Sequence, residues 1–163
     1  MDDAWLIDAD DTSGASGQQD LRIWLRLLTC TNLIETRVRK GLRESFDTTL
    51  PRFDLMAQLE RAAGGLTMGE LSRRLMVSNG NVTGLIDRLV AEGMVERRTD
   101  ETDRRAQLVR LTAAGKRAFD AMTPVHQAWI ADALTSLGAA DKTHLLDLLA
   151  KLKTALTTDE AHP

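Results

Sequence analysis

A chain of 163 residues, 43% apolar and 28% charged, has the composition of an ordinary globular protein and the length for one domain with a real core. The single cysteine, Cys30, excludes an intrachain disulfide, and the three scattered histidines, His126, His144 and His162, give no zinc-ligand spacing. The net charge of −3 divides into −6 over residues 1–20, +4 over 21–112 and −1 over 113–163, so the acid sits in one tail and the middle is mildly basic.

Residues 1–17 are rich in Asp, Gly and Ser and read as a disordered acidic tail. Acids stand where a signal peptide would carry bases, and no apolar run approaches the about 18–20 residues of a membrane span. The expectation is a cytoplasmic protein with no membrane partner. A long helix follows over 19–43. Leu21, Trp24, Leu25 and Leu28 mark one of its faces, and Ile23, Leu27, Cys30, Ile34 and Val38 a second. A helix apolar on two faces needs cover on both, and a partner subunit is the natural source. Cys30 on an apolar face is expected to be a buried, inert thiol.

Pro51 opens the next helix, Phe53, Leu55, Met56 and Leu59 give its face, and Gly64-Gly65 stops it. Thr67 and Glu70 then fit a capping box, with Leu66 and Leu71 placed as a hydrophobic staple. The short helix they begin carries Leu71 and Leu75 on its buried stripe. Ser78 caps another helix, whose buried stripe is Val82, Leu85, Ile86 and Leu89 and whose end is Gly93. Its opposite face holds Asn79, Gly80, Asn81, Thr83, Gly84, Asp87 and Arg88. Each helical glycine there costs roughly 1 kcal/mol relative to Ala, which a face pressed against DNA repays by close approach. Close packing against another helix is the competing explanation. Asn81 and Thr83 suit base edges or phosphates, and Arg88 a phosphate or guanine.

After Gly93 the period changes. Met94 to Arg98 and Gln107 to Leu111 read as two short strands joined by a charged tip, a β-hairpin. A hairpin directly after a recognition helix is a wing. Arginines at its tip suit a narrow, electronegative minor groove, and Asp103 is read as holding a neighbouring Arg by a charge-assisted hydrogen bond. Thr112 caps a long helix to about Leu137, with Pro124 expected to kink it. After Gly138, Leu145, Leu149, Leu152 and Leu156 repeat at coiled-coil-like steps.

This order of elements resembles the MarR (multiple antibiotic resistance regulator) family over about residues 20–157. Asp103-Arg104-Arg105 through Val109, Leu111-Thr112 and Gly115 carry the family's wing signature. Leu71-Ser72, Leu75, Val77-Ser78, Val82-Thr83, Leu85-Ile86, Leu89 and Gly93 support it. The resemblance implies a homodimer bound to a pseudo-palindromic double-stranded operator, most often a repressor released by a small aromatic or anionic effector. It places recognition-helix contacts on Ser78, Asn79, Asn81, Thr83 and Arg88. It places minor-groove contacts on Arg104 and Arg105, with Arg98 nearby and Asp103 as the orienting acid. Thr102 departs from the pattern, since many members have a base there. The family's effectors lie in the crevice between dimerisation helices and winged module, which implies Trp24, Leu28, Phe53 and Met56 as lining and Arg22 or Arg26 as the anion's partner. Leu50-Pro51-Arg52-Phe53-Asp54 and Ser78 to Gly84 are similar to members controlling aromatic-acid, especially hydroxycinnamate, catabolism, some of which sense an aromatic acyl-CoA thioester.

The expected architecture is mainly α. A winged helix-turn-helix with a two-stranded wing occupies 51–112, and an all-helical dimerisation domain is built from 18–50 and 113–158. A short C-terminal tail covers 159–163. No nucleophile–base–acid set, phosphate-cradling glycine loop or metal cluster is present in the sequence, so neither an enzyme nor a cofactor is expected. Two other readings remain at this stage: a DNA-binding regulator with no ligand, and a protein-interaction winged helix, against which Arg98, Arg104 and Arg105 argue.

Overall fold

The computed structural model describes residues 16–99 and 107–159. The acidic tail up to residue 15, the wing tip with Thr102, Asp103, Arg104 and Arg105, and the C-terminal residues 160–163 lie outside the described residues. Among the described residues six helices and three short strands follow one another. They are α1 (Ser16–Phe46), α2 (Leu50–Glu60), β1 (Leu66–Thr67), α3 (Met68–Leu75), α4 (Asn79–Ala91), β2 (Val95–Thr99), β3 (Gln107–Leu111), α5 (Ala113–Ala133) and α6 (Ala139–Asp159). The chain divides after Arg37 into two compact units.

In the first unit α1 turns much apolar surface outward. Leu21 and Trp24 are more than half exposed, as is Leu33. Cys30 is exposed as well, which corrects the expectation of a buried thiol. An apolar face in sequence is not a covered face when the chain stands alone.

The second unit is built from the sequence's local signals. Pro51 sits in the first turn of α2, where its missing N–H costs nothing. The Thr67 hydroxyl accepts from the Glu70 N–H at 3.3 Å, and the Glu70 carboxylate accepts from the Thr67 N–H at 2.8 Å. These bonds, the backbone one foremost, hold the Glu70 carboxyl below its ordinary value. Leu66 and Leu71 on either side of this cap are both buried. Val82, Ile86 and Leu89 on α4 are fully buried, with Leu85 half-buried beside them.

The sheet is larger than expected. β2 pairs antiparallel with β3 (Val95 with Leu111, Thr99 with Gln107), but β1 adds a third strand on the other edge of β3, with Leu66 opposite Val109. The two-stranded wing is therefore the outer part of a three-stranded sheet. Gly65 makes the turn into β1 at a φ of +95°, and a side chain there would strike Arg110 Cγ at 2.7 Å.

α2 packs against α3, α4, α5 and β3. Phe53 is the centre of that packing. Its ring stacks on Phe119 with centroids 5.4 Å apart and on the His126 imidazole at 4.5 Å. Burial there lowers the His126 pKa below its ordinary 6.5. α5 ends at Ala133, short of the expected Leu137, and Pro124 lies inside it without ending it. Gly41 lets Trp129 lie flat on α1, because a Cβ at Gly41 would sit 2.6 Å from the indole.

A second clasp joins the recognition helix to α5. The Thr112 hydroxyl donates to the Gly93 carbonyl at 2.6 Å and accepts from the Gly115 N–H at 3.0 Å. Gly93, at a φ of +71°, turns the chain out of α4 as expected. Gly115 lies so close to Met94 that a Cβ would fall 1.9 Å from the carbonyl oxygen.

Candidate nucleic-acid interface

The turn between α3 and α4 is fixed by its own side chains. Met76 ends α3 in the left-handed region, with a φ of 54° and its side chain 93% exposed. The Ser72 hydroxyl then donates to the Val77 carbonyl at 2.5 Å, and the Val77 N–H donates back to the Ser72 carbonyl at 3.2 Å. Ser78 starts α4, its hydroxyl accepting from the Asn81 N–H at 3.4 Å.

From that start α4 presents one buried stripe and one exposed face. Ser78, Asn79, Asn81, Thr83 and Arg88, the residues assigned to DNA by the sequence, are all exposed. The exposed Thr83 donates its hydroxyl to the Asn79 carbonyl at 2.9 Å, and the hydroxyl oxygen keeps its capacity to accept. Gly80 and Gly84 lie on this face with nothing within 4 Å of a Cβ built on either. Packing within the chain therefore does not account for them.

Asp87 on the same face is not available as an isolated acid. Its carboxylate accepts from Arg97 of β2 at 2.5 Å. The pair fastens the first wing strand to the recognition helix, and sequence reading missed it because the partners lie on different elements. Arg98, the next residue of β2, is exposed and donates to Glu96 at 2.6 Å, leaving its other guanidinium donors outward. Arg73 and Arg74 add exposed cations at the end of α3.

The residues assigned to an effector fall in both units. In the first, Trp24 and Arg26 are exposed and Arg22 and Leu28 half-buried. In the second, Phe53 and Met56 are buried. Met56 also lines a cavity of about 400 Å³. Among the described residues no three His, Cys, Asp or Glu side chains gather where a metal could bind, and no helix is long and apolar enough to cross a membrane.

A capped helix, a clasped turn, a helix with an open polar face and a strand pair fastened to it define a winged helix-turn-helix DNA-binding protein. The model of the MarR family matches residues 46–106. The transcriptional activatory protein BadR of Rhodopseudomonas palustris is 32% identical over 146 residues, covering 88% of this chain and 83% of BadR. The multiple antibiotic resistance protein MarR of Escherichia coli is 30% identical over 126 residues, 77% of this chain and 87% of MarR. A mutant Escherichia coli MarR complexed with operator DNA superposes with a TM-score of 0.73 at 26% identity, covering 85% of this chain and 99% of that one. The chain belongs to the MarR family of DNA-binding transcriptional regulators, and its relatives are regulators rather than enzymes.

Proposed function

We propose that the chain acts as a homodimeric repressor that sits on a pseudo-palindromic operator and leaves it when a small aromatic or anionic effector binds. The observation that carries the DNA part is the exposed face of α4, where Gly80 and Gly84 keep a polar surface free of obstruction. Asn79, Asn81 and Thr83 meet base edges, Ser78 and Arg88 meet phosphates or guanine, and Arg98, Arg104 and Arg105 enter the minor groove with Asp103 orienting them. Two such helices, related by a two-fold axis, reach successive major grooves about 34 Å apart.

The dimer is supported by α6, whose Leu145, Leu149, Leu152 and Leu156 are 37–62% exposed in the single chain. A leucine seam of this kind needs a partner surface. In this reading 18–50 and 113–158 form the dimerisation domain and 51–112 the DNA-binding domain of a cytoplasmic protein. The residues that the family resemblance assigns to the effector are Trp24, Leu28, Phe53 and Met56, with Arg22 or Arg26 for an anionic group. The effector's class is an aromatic acid or an aromatic acyl thioester such as a hydroxycinnamoyl-CoA.

The name of BadR favours a second reading, in which bound protein activates transcription. A reporter fused to the promoter upstream of this chain's own gene separates the two. Deleting the chain raises expression if it represses and lowers it if it activates. Adding the effector to the intact strain mimics deletion only in the repressor case.

A further inference from the structure

The chain leaving the recognition helix α4 is fastened at three consecutive residues. The Glu92 carboxylate accepts from the Arg52 guanidinium of α2. The Gly93 carbonyl accepts from the Thr112 hydroxyl. The Met94 carbonyl accepts from the Thr112 N–H at 3.1 Å and lies against Gly115. The last two fastenings are backbone geometry, whereas the first depends on a pair of charged side chains.

Neither charge is explained by its own helix. Arg52 stands in the first turn of α2, at the positive end of the helix dipole, and Glu92 caps α4 at its negative end. Each sits where its sign is unfavourable, and each is accounted for by the other. The Arg52 Nε is in addition buried without a hydrogen-bond partner, a further cost of this placement. Stability does not explain the pair either. The Glu92 side chain is 43% exposed, and pairs so open to water contribute little to folding.

The helix the pair holds has the proportions of a lever. Its 13 residues span about 20 Å at roughly 1.5 Å each. Arg52 holds the C-terminal end, and Asn79, Asn81 and Thr83 stand towards the other. A tilt of about 5° at the held end moves Asn79 by roughly 1.7 Å, more than a hydrogen bond to a base edge tolerates.

We infer that Arg52 and Glu92 are positioning residues for DNA recognition, which touch no DNA themselves and whose ion pair sets the angle at which α4 presents Asn79, Asn81 and Thr83. The inference rests on the assignment of the α4 face to DNA. The sign of one substitution separates this role from simple electrostatics. Glu92→Gln removes an acid from the end of the DNA-binding helix and relieves an unfavourable charge there, so charge alone predicts tighter DNA binding by an intact fold. The positioning role predicts weaker binding to the operator.

The test is anisotropy of the full chain on a labelled duplex from upstream of its own gene and on an unrelated duplex, over a salt series. Glu92→Gln and Arg52→Gln are each expected to lower the ratio of the two affinities by about tenfold. Arg52→Gln is expected to leave the slope of log affinity against log salt unchanged, because no phosphate contact is lost. The exchanged pair, Arg52→Glu with Glu92→Arg, is expected to return the ratio to within about threefold of the unaltered chain. A ratio that Glu92→Gln leaves unchanged or raises overturns the inference. So does a slope that falls by about one in Arg52→Gln, or an exchanged pair no better than the single substitutions. An unaltered chain with no preference for its own upstream duplex overturns the DNA reading of α4, and the inference with it.

Discussion

The Asp87 carboxylate on α4 and the Arg97 guanidinium on β2 lie 2.5 Å apart and link the helix expected to enter the major groove to the strand that leads to the wing. Both side chains are partly exposed, so the pair contributes at most about 1 kcal/mol to stability. Its larger effect is on charge at the DNA face, where it cancels an acid against a base. Removing either half is therefore expected to move DNA binding in opposite directions. Arg97→Ala leaves Asp87 facing phosphate and lowers operator affinity. Asp87→Ala frees a cation, raises affinity for unrelated duplex, and steepens the dependence of log affinity on log salt by about one. Binding titrations over a salt series check both signs, and the melting temperatures stay close to that of the unaltered chain.

Gly84 offers a test in which stability and function part company. It stands on an exposed helical face with open space where a Cβ would be. Gly84→Leu is expected to stabilise the fold by roughly 0.5–1 kcal/mol, because leucine is the better helix former. The same variant is expected to weaken operator binding by about tenfold or more, because its side chain occupies the space DNA requires. Urea denaturation and an anisotropy titration on one preparation read both quantities. A stabilised variant that binds as before removes the glycines from the DNA argument.

Gly115 is the structural counterpart. A Cβ there would overlap the Met94 carbonyl oxygen at 1.9 Å, and backbone cannot yield as a flexible side chain would. Gly115→Ala is expected to destabilise the fold by about 1–3 kcal/mol or more. Gly64→Ala, at a glycine with nothing within 4 Å, is the control expected to change little.

The helices and hairpin were legible in the sequence because their signals are local. The Thr67–Glu70 box, the Ser78 and Thr112 caps and the Val82, Ile86, Leu89 stripe span a few residues each and appear where expected. β1 was not legible, since two residues have no period and only pairing with β3 makes them a strand. The exposed face of α4 was read correctly as to which residues it holds. The ion pairs across it and behind it were not. Asp87 and Arg97 are ten residues apart, and Arg52 and Glu92 forty, and nothing in the chain marks such partners before it folds. The end of α5 was placed too late because the helical pattern runs on through Leu134 while the backbone departs from helix there. Cys30 was misjudged for a related reason, since a stripe of apolar residues does not say which part of it is covered.

His126 supplies a pH dependence. Burial keeps its folded-state pKa below the ordinary 6.5, so the unfolded chain binds its proton first as the pH falls. The stability this residue permits is full above about pH 6.5 and declines below it, towards the depressed folded value. His126→Phe, which keeps the stack on Phe53, is expected to remove that part of the slope. Urea midpoints for both chains between pH 5 and pH 8 give the difference, and parallel curves would show that the imidazole does not titrate in this way.

The most direct measurement of the central claim is anisotropy of the full chain on a labelled duplex from upstream of its own gene, against an unrelated duplex, at about 150 mM salt. The expected dissociation constant lies at about 10⁻⁸ M or below, with the unrelated duplex about 10³-fold weaker. Asn81→Ala and Arg88→Ala are each expected to lose about tenfold or more on the specific duplex. Equal affinity for the two duplexes, or specific binding untouched by both substitutions, would contradict the assignment of the α4 face to DNA recognition.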